Sequence, residues 1–247
     1  MLTTTPPTFP GATSVTLLDV YDDVAPDGLC GGSPHMHLAS TECYVVTGGR
    51  GELHTLDPGG PRETPLSKGS VVWFTPGTIH RAVNHGGLEV LVVMGNAGLP
   101  EAGDAVMTFP ADVVADPERY AAAATLPIDS PASRAEAAAR RRDLAVEGFL
   151  VLRDAARAGD FGPLQEFHAA AARLVQGRAA GWTGIVERGP AAQAAQSLEV
   201  TRALAAGDAG HLSAAAVSQA PPLEGERGFG MCGRLHAYDV SGDLVTR

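Results

Sequence analysis

Two histidines separated by one residue, His35 and His37 in the segment SPHMHLASTE, open the question of what chemistry this chain can do. On a β-strand the side chains alternate with a period of two, so both imidazoles face one side and aim at one point. A metal ion needs that arrangement; an unrelated surface pair does not. Glu42 stands an odd number of positions after His37, and an unbroken strand would turn it away. The small polar stretch Ala39-Ser40-Thr41 can supply a turn, after which Glu42 begins a new strand and faces inward with Tyr44 and Val46 beneath it. His80 is the candidate fourth ligand, because Pro76-Gly77-Thr78 is a tight turn of the kind that feeds a strand. On that strand His80, Ala82 and Asn84 share the inner face. Three imidazoles and one carboxylate with open positions would polarise a bound oxygen and lower the pKa of bound water or an enol. Such donors suit one divalent ion of Fe, Mn, Ni or Zn, and affinity order does not choose among them.

The elements that must position these residues are strands. From Ser14 to about Met107 the chain is written in short apolar, β-branched runs, SVTLLDVY, ECYVVTG, SVVWFT and LEVLVVMG, separated by Gly, Pro and Asp. Several such strands at short spacing predict a sandwich, jelly roll or barrel, since closure removes the edges that short antiparallel strands expose.

After Phe109-Pro110 the composition shifts to alanine with interspersed Arg and Glu, which predicts helices. Ser133 and Glu136 have the spacing of a capping box, and a helix from about Ser133 to Ala158, stopped by Gly159, follows. A second begins at Pro163 and repeats Leu164, Phe167, Ala171, Leu174 and Val175 on one face, a core-packing stripe. Gly189-Pro190 opens a third through about Ala206, and a short one includes Leu212 to Ala216. The closing RLHAYDVSGDLV returns to strand-like alternation around a Ser-Gly-Asp turn, as a hairpin or as an edge strand of the barrel. The predicted domains are a β-barrel over 1–110 and a mainly helical region over 111–247, packed on the barrel or at a dimer interface, with no long Gly/Ser linker between them.

The ligand pattern resembles the cupin family. Its first motif is matched by His35, His37, Glu42 and Gly49, and its second by Gly69, Gly77, His80 and Asn84. The opening glycine, Gly28, lies one place early, and Pro76 one place late; both are turn positions. The resemblance covers about residues 14 to 107 and does not reach the helices. It implies a small jelly-roll barrel holding one divalent metal at its mouth through His35, His37, Glu42 and His80. It also implies enzymes of dioxygenase, isomerase or decarboxylase type acting on small oxygen-rich molecules, with Glu42 and Tyr44 the candidate catalytic residues. The alternative is a non-catalytic metal-containing barrel that binds a sugar or acidic metabolite.

Other residues read more plainly. Tyr44 either reaches the metal's open side or fills the barrel, and Trp73 reads as core. His54 reads as outward and structural; Arg81 and His85 alternate away from the ligand face; His168, His211 and His236 read as surface or packing residues. The run Arg140-Arg141-Arg142 reads as a solvated helix face. The formal net charge of -10 repels polyanions, so nucleic acid is not an expected partner. Cys30, Cys43 and Cys232 are an odd set without CxxC spacing, which argues against a disulfide framework and for the cytoplasm. The N-terminal MLTTTPPTFPGATS has no basic stretch followed by an apolar run, and nowhere do 18 apolar residues follow one another, so neither export signal nor membrane span is expected. The helices' apolar stripes are expected to cover the barrel or build a homodimer.

Overall fold

The computed structural model describes residues 9–240 and the backbone of residues 243–244. The start of the N-terminal segment and Ser241-Gly242, where the sequence predicts a turn, lie outside the described residues. An antiparallel sheet comes first in the chain and helices follow. The strands are β1 (Ser14–Val20), β2 (His35–His37), β3 (Glu42–Asp57), β4 (Gly60–Ser67), β5 (Val71–Phe74), β6 (Ile79–Met94) and β7 (Ala105–Met107).

β3 and β6, of 16 residues each, pair antiparallel along their whole length, from Glu42 opposite Met94 to Leu56 opposite Ile79. On the outer edge of β3, β5 covers its first half and β4 its second. The outer edge of β6 carries β2 at the His80 end and β1 along Glu89–Met94. The ribbon cannot be straight. Thr55 lies opposite His80, and a straight strand would separate Glu42 from Thr55 by thirteen steps (55 minus 42), about 43 Å. Yet Glu42 Oε2 is 3.1 Å from His80 Nε2. The ribbon therefore folds over on itself where its register shifts, between Val46 and Gly51. Gly49 sits there with φ of 67°, and a Cβ on it would lie 2.0 Å from the Gly87 carbonyl oxygen. Leu18, Val46, Leu53, Leu66, Val90 and their neighbours fill the interior so enclosed.

The helices are α1 (Ala111–Val114), α2 (Pro117–Ala124), α3 (Pro131–Arg157), α4 (Gly162–Ala179), α5 (Trp182–Val186) and α6 (Ala192–Ala205). α1 to α5 pack on the outer face of the β2 and β7 side, where Met36, Leu56, Ile79 and Val106 meet Phe149, Leu152 and Phe167, whereas α6 buries no residue there. Burying each such phenylalanine contributes about 1.5–3 kcal/mol. α3 comes close enough that a Cβ on Gly148 would lie 2.1 Å from the Thr108 carbonyl. Its N-cap is Ser130, in a capping box with Ser133, rather than the Ser133 and Glu136 pair. That places the start three residues earlier, with Pro131 in the first turn. Gly189-Pro190 does not open a helix; it lies in a π-helical turn, Glu187–Ala191, joining α5 to α6. The Arg140-Arg141-Arg142 run is not a solvated face. Only Arg140 is exposed, while Arg142 is ion-paired with Asp23 and Arg141 donates to the Gly230 carbonyl.

The chain then returns to the barrel. Following β8 (Ser218–Gln219) and β9 (Gly228–Phe229), β10 (Gly233–Ala237) pairs antiparallel with the free edge of β1, from Thr16 opposite Ala237 to Val20 opposite Gly233. β10 also pairs antiparallel with β9, which is the edge strand on that side, and β11 (Asp243–Leu244) pairs with β8 and not with β10, so the segment 234–237 adds a strand to the barrel sheet.

Candidate metal centre

All four predicted ligands meet. His35 and His37 project from β2, Glu42 is the first residue of β3, and His80 is the second of β6, directly opposite His35. One donor atom from each lies within 4.8 Å of every other, and all four side chains are buried. Glu42 Oε2 is 3.2 Å from His37 Nε2 and 3.1 Å from His80 Nε2; His35 Nε2 and His80 Nε2 are 3.1 Å apart.

The donor set fits a cation. His35 Nδ1 lies 2.9 Å from the Ser33 carbonyl and His80 Nδ1 lies 3.2 Å from that of Thr78. With the proton on Nδ1 donating to each carbonyl, both Nε2 atoms turn a lone pair inward. Two lone pairs facing each other at 3.1 Å repel unless a proton or cation lies between them. Glu42 Oε2, despite its two close nitrogens, has no aligned hydrogen-bond partner. Donors about 2.1 Å from one ion at right angles stand about 3.0 Å apart, close to the spacings here.

A fifth residue, Asp104, builds the turn on which the parity of Glu42 depends. Its Oδ1 accepts from the Leu38 and Ala39 amides at 2.9 and 2.8 Å, and its Oδ2 from the Ser40 amide at 3.0 Å. The same Oδ2 stands 3.4 Å from His37 Nδ1, an ionic contact whose angle falls short of a hydrogen bond. Burial lowers the pKa of His37, but Asp104 and Glu42 outweigh it and raise the group to about 9. Burial pushes Glu42 up, and the attraction of His80 and His37 outweighs it, holding the carboxyl well below the usual range. Asp104 follows the same balance and settles at about 2. His35, stripped of solvent beside His80 and His37, is driven well below its ordinary value.

Tyr44 lies beneath Glu42, fully buried, with its hydroxyl 3.5 Å from Cys232 Sγ. Cys232, just before β10, is also 4.0 Å from His35 Nδ1. Asp104 and Cys232 carried no sequence signal, since each meets the site across a long stretch of chain. Asn84 supports the fold-over: its side-chain amide donates to the Val20 carbonyl, and its Oδ1 accepts from the Gly86 and Leu88 amides.

A cavity of about 430 Å³ opens beside the cluster, lined by Leu53, Thr55, Arg62, Val72, Phe74 and Thr78 among others. Phe74 stands between this cavity and the ligands, its ring 4.1 Å from that of His80 and 5.5 Å from that of Tyr44. Trp73, read from the sequence as core, is 73% exposed at the same rim, because β5 is an edge strand whose outer face no described residue covers. Neither this cavity nor a second one of about 440 Å³ between α3 and α4 is lined by any of the four; the first reaches them only through Phe74. Arg81 points outward from β6, buried against Asp27 and the Gly32 carbonyl.

The family profile described as a cupin domain matches residues 22–94, which hold all four candidate ligands. A comparison with curated proteins finds no match. Among solved structures, an uncharacterized conserved protein with a double-stranded beta-helix domain from Klebsiella pneumoniae is 23% identical, with 35% of this chain and 70% of that one covered and a TM-score of 0.28. KdgF from Halomonas sp. is 21% identical over 27% of this chain and 56% of its own, with a TM-score of 0.23. A predicted oxalate decarboxylase from Thermotoga maritima is 24% identical over 33% and 63%, with a TM-score of 0.25. This chain thus spans less than two thirds of the length of the latter two.

Proposed function

Residues 22–94 are a cupin domain, and on that premise we propose that the protein is a metal-dependent enzyme acting on a small oxygen-rich organic substrate, by dioxygenase, isomerase or decarboxylase chemistry. The observation that carries this is the buried convergence of three imidazoles, two of them with an Nε2 lone pair turned inward, and one carboxylate oxygen that has no aligned hydrogen-bond partner. His35, His37, Glu42 and His80 would hold one ion of Fe, Mn, Ni or Zn. Once bound, such an ion acts as a Lewis acid on a substrate oxygen and lowers the pKa of bound water or an enol.

The chain's own residues do the rest. Asp104 orients His37, Phe74 keeps bulk water from the ligands, and Thr55, Thr78 and Arg62 offer polar contacts to a substrate in the mouth. Glu42 would help hold the ion, and its carboxylate is the candidate base. Elemental analysis of the purified protein beside His37→Ala tests the centre, with at least one ion per chain expected in the wild type and about one ion fewer in the variant. Turnover of sugars or phenolic acids is then assayed in air and under anaerobiosis: oxygen uptake identifies a dioxygenase, and anaerobic turnover an isomerase or decarboxylase. Tyr44→Phe with full metal content and no turnover would give Tyr44 a catalytic role; unchanged turnover would make it packing.

A second reading, a non-catalytic binder, is favoured by the engagement of the Tyr44 hydroxyl with Cys232. It predicts affinity without turnover. We also place the protein in the cytoplasm, which its three free cysteines suit. A homodimer remains part of the proposal and is checked by light scattering.

A further inference from the structure

A second set of metal donors lies on the outer face of β3, away from the barrel interior. Glu52 and His54 stand two apart on that strand, on the face shared with Leu56, which packs toward the helices. Glu63 on β4 is the cross-strand partner of His54, and one donor atom each from Glu52, His54 and Glu63 lies within 4.8 Å of the others. Glu52 is bracketed by imidazoles, its Oε2 being 3.0 Å from His54 Nε2 and its Oε1 3.4 Å from His85 Nε2. His54 is only 6% exposed, so packing fixes its ring. Arg157, the last residue of α3, donates to Glu63 Oε1 at 3.1 Å and gives no such bond to Glu52.

We propose that Glu52, His54 and Glu63, with His85 adjoining, form a peripheral site for a borderline divalent cation such as Zn²⁺. Mixed imidazole and carboxylate donors favour such an ion over Mg²⁺ or Ca²⁺, which prefer oxygen alone. Two carboxylates held this close repel each other, and the single guanidinium opposite one of them offsets only part of that; a dication would offset both. The strand geometry repeats the logic of His35 and His37, since residues two apart on β3 necessarily aim the same way. An ion here would tie β3 and β4 together, with β6 joined through His85, on the outside of the folded ribbon.

The test is Zn²⁺ retention by the chelator-treated full chain after dialysis against micromolar Zn²⁺, read by elemental analysis on the wild type, Glu63→Gln, His85→Ala and His37→Ala. The wild type is expected to keep one more ion than Glu63→Gln, whereas His37→Ala keeps the peripheral ion after losing the central one. His85→Ala, at a half-exposed side chain, is expected to weaken retention without abolishing it and serves if Glu63→Gln misfolds by circular dichroism. Equal zinc content in the wild type and folded Glu63→Gln overturns the proposal and makes the group an ion-pair cluster, as does a folded His37→Ala protein that keeps no zinc. Failure of the central site alone would instead show as a wild type whose zinc is lost with Glu63→Gln and untouched by His37→Ala.

Discussion

Asp104 does two jobs with one carboxylate. It gathers three amides into the turn after β2 and stands behind His37. Asp104→Ala leaves the Ala39 and Ser40 amides without their acceptor, at about 1–3 kcal/mol for each that water does not reach, while the Leu38 amide keeps the Asp104 main-chain carbonyl. It should also weaken metal retention by about 10- to 100-fold, the usual cost of losing a carboxylate behind a ligating histidine; a chelator competition assay reads this. The pH dependence has a definite sign. Because the folded carboxyl sits at about 2, below its ordinary value, its contribution is fully present above about pH 4 and is lost as the pH falls toward 2. That contribution is about 2 kcal/mol. Acid titration of urea midpoints should show a steeper loss below pH 4 in the wild type than in Asp104→Asn. The convergence of His35, His37, Glu42 and His80 was legible in the sequence because strand alternation and turn residues constrain local direction. Asp104 was not, since its partners lie more than sixty residues away in the chain. Trp73, Arg141 and Arg142 were misread for the same reason: an apolar or charged side chain does not say which neighbours the fold will bring to it.

Strand parity explains more than any single side chain at the level of elements. β2 sends His35 and His37 inward and Met36 out to the helices; β6 sends His80 and Ala82 inward and Ile79 outward. These alternations were readable, as were the strands themselves and the apolar face of α4, of which Leu164, Phe167, Ala171 and Val175 are buried. The fold-over of β3 and β6 was not, because a glycine-rich stretch signals a bend without giving its direction. β5 contributes the barrier between mouth and cluster. Phe74→Leu should speed metal loss to a chelator, measured by stopped-flow exchange, at a modest stability cost. Phe74→Ala would do the same but cost about 3–5 kcal/mol.

In the whole molecule the barrel is completed from both ends of the chain. We propose the division into 1–110 and 111–247 as a boundary in sequence only, because β10 belongs to the second segment and covers the edge of β1. A fragment ending at residue 110 should therefore expose that edge and self-associate, which sedimentation would reveal. Cys232 reports the docking of the tail. Burial, with help from Glu42, pushes its thiol up to about 12, so at pH 8 a thiol reagent should modify the half-buried Cys30 and Cys43 and leave Cys232 until the protein unfolds. The fold-over of the long ribbon has a mechanical corollary. Glu42 and His80 sit near opposite ends of its contour, so a cation gripped by both acts as a clasp on a bent hairpin. Stripping the ion should let the two arms breathe apart about Gly48–Gly51 and Gly86–Leu88, and amide exchange there should quicken while the helical layer keeps its protection.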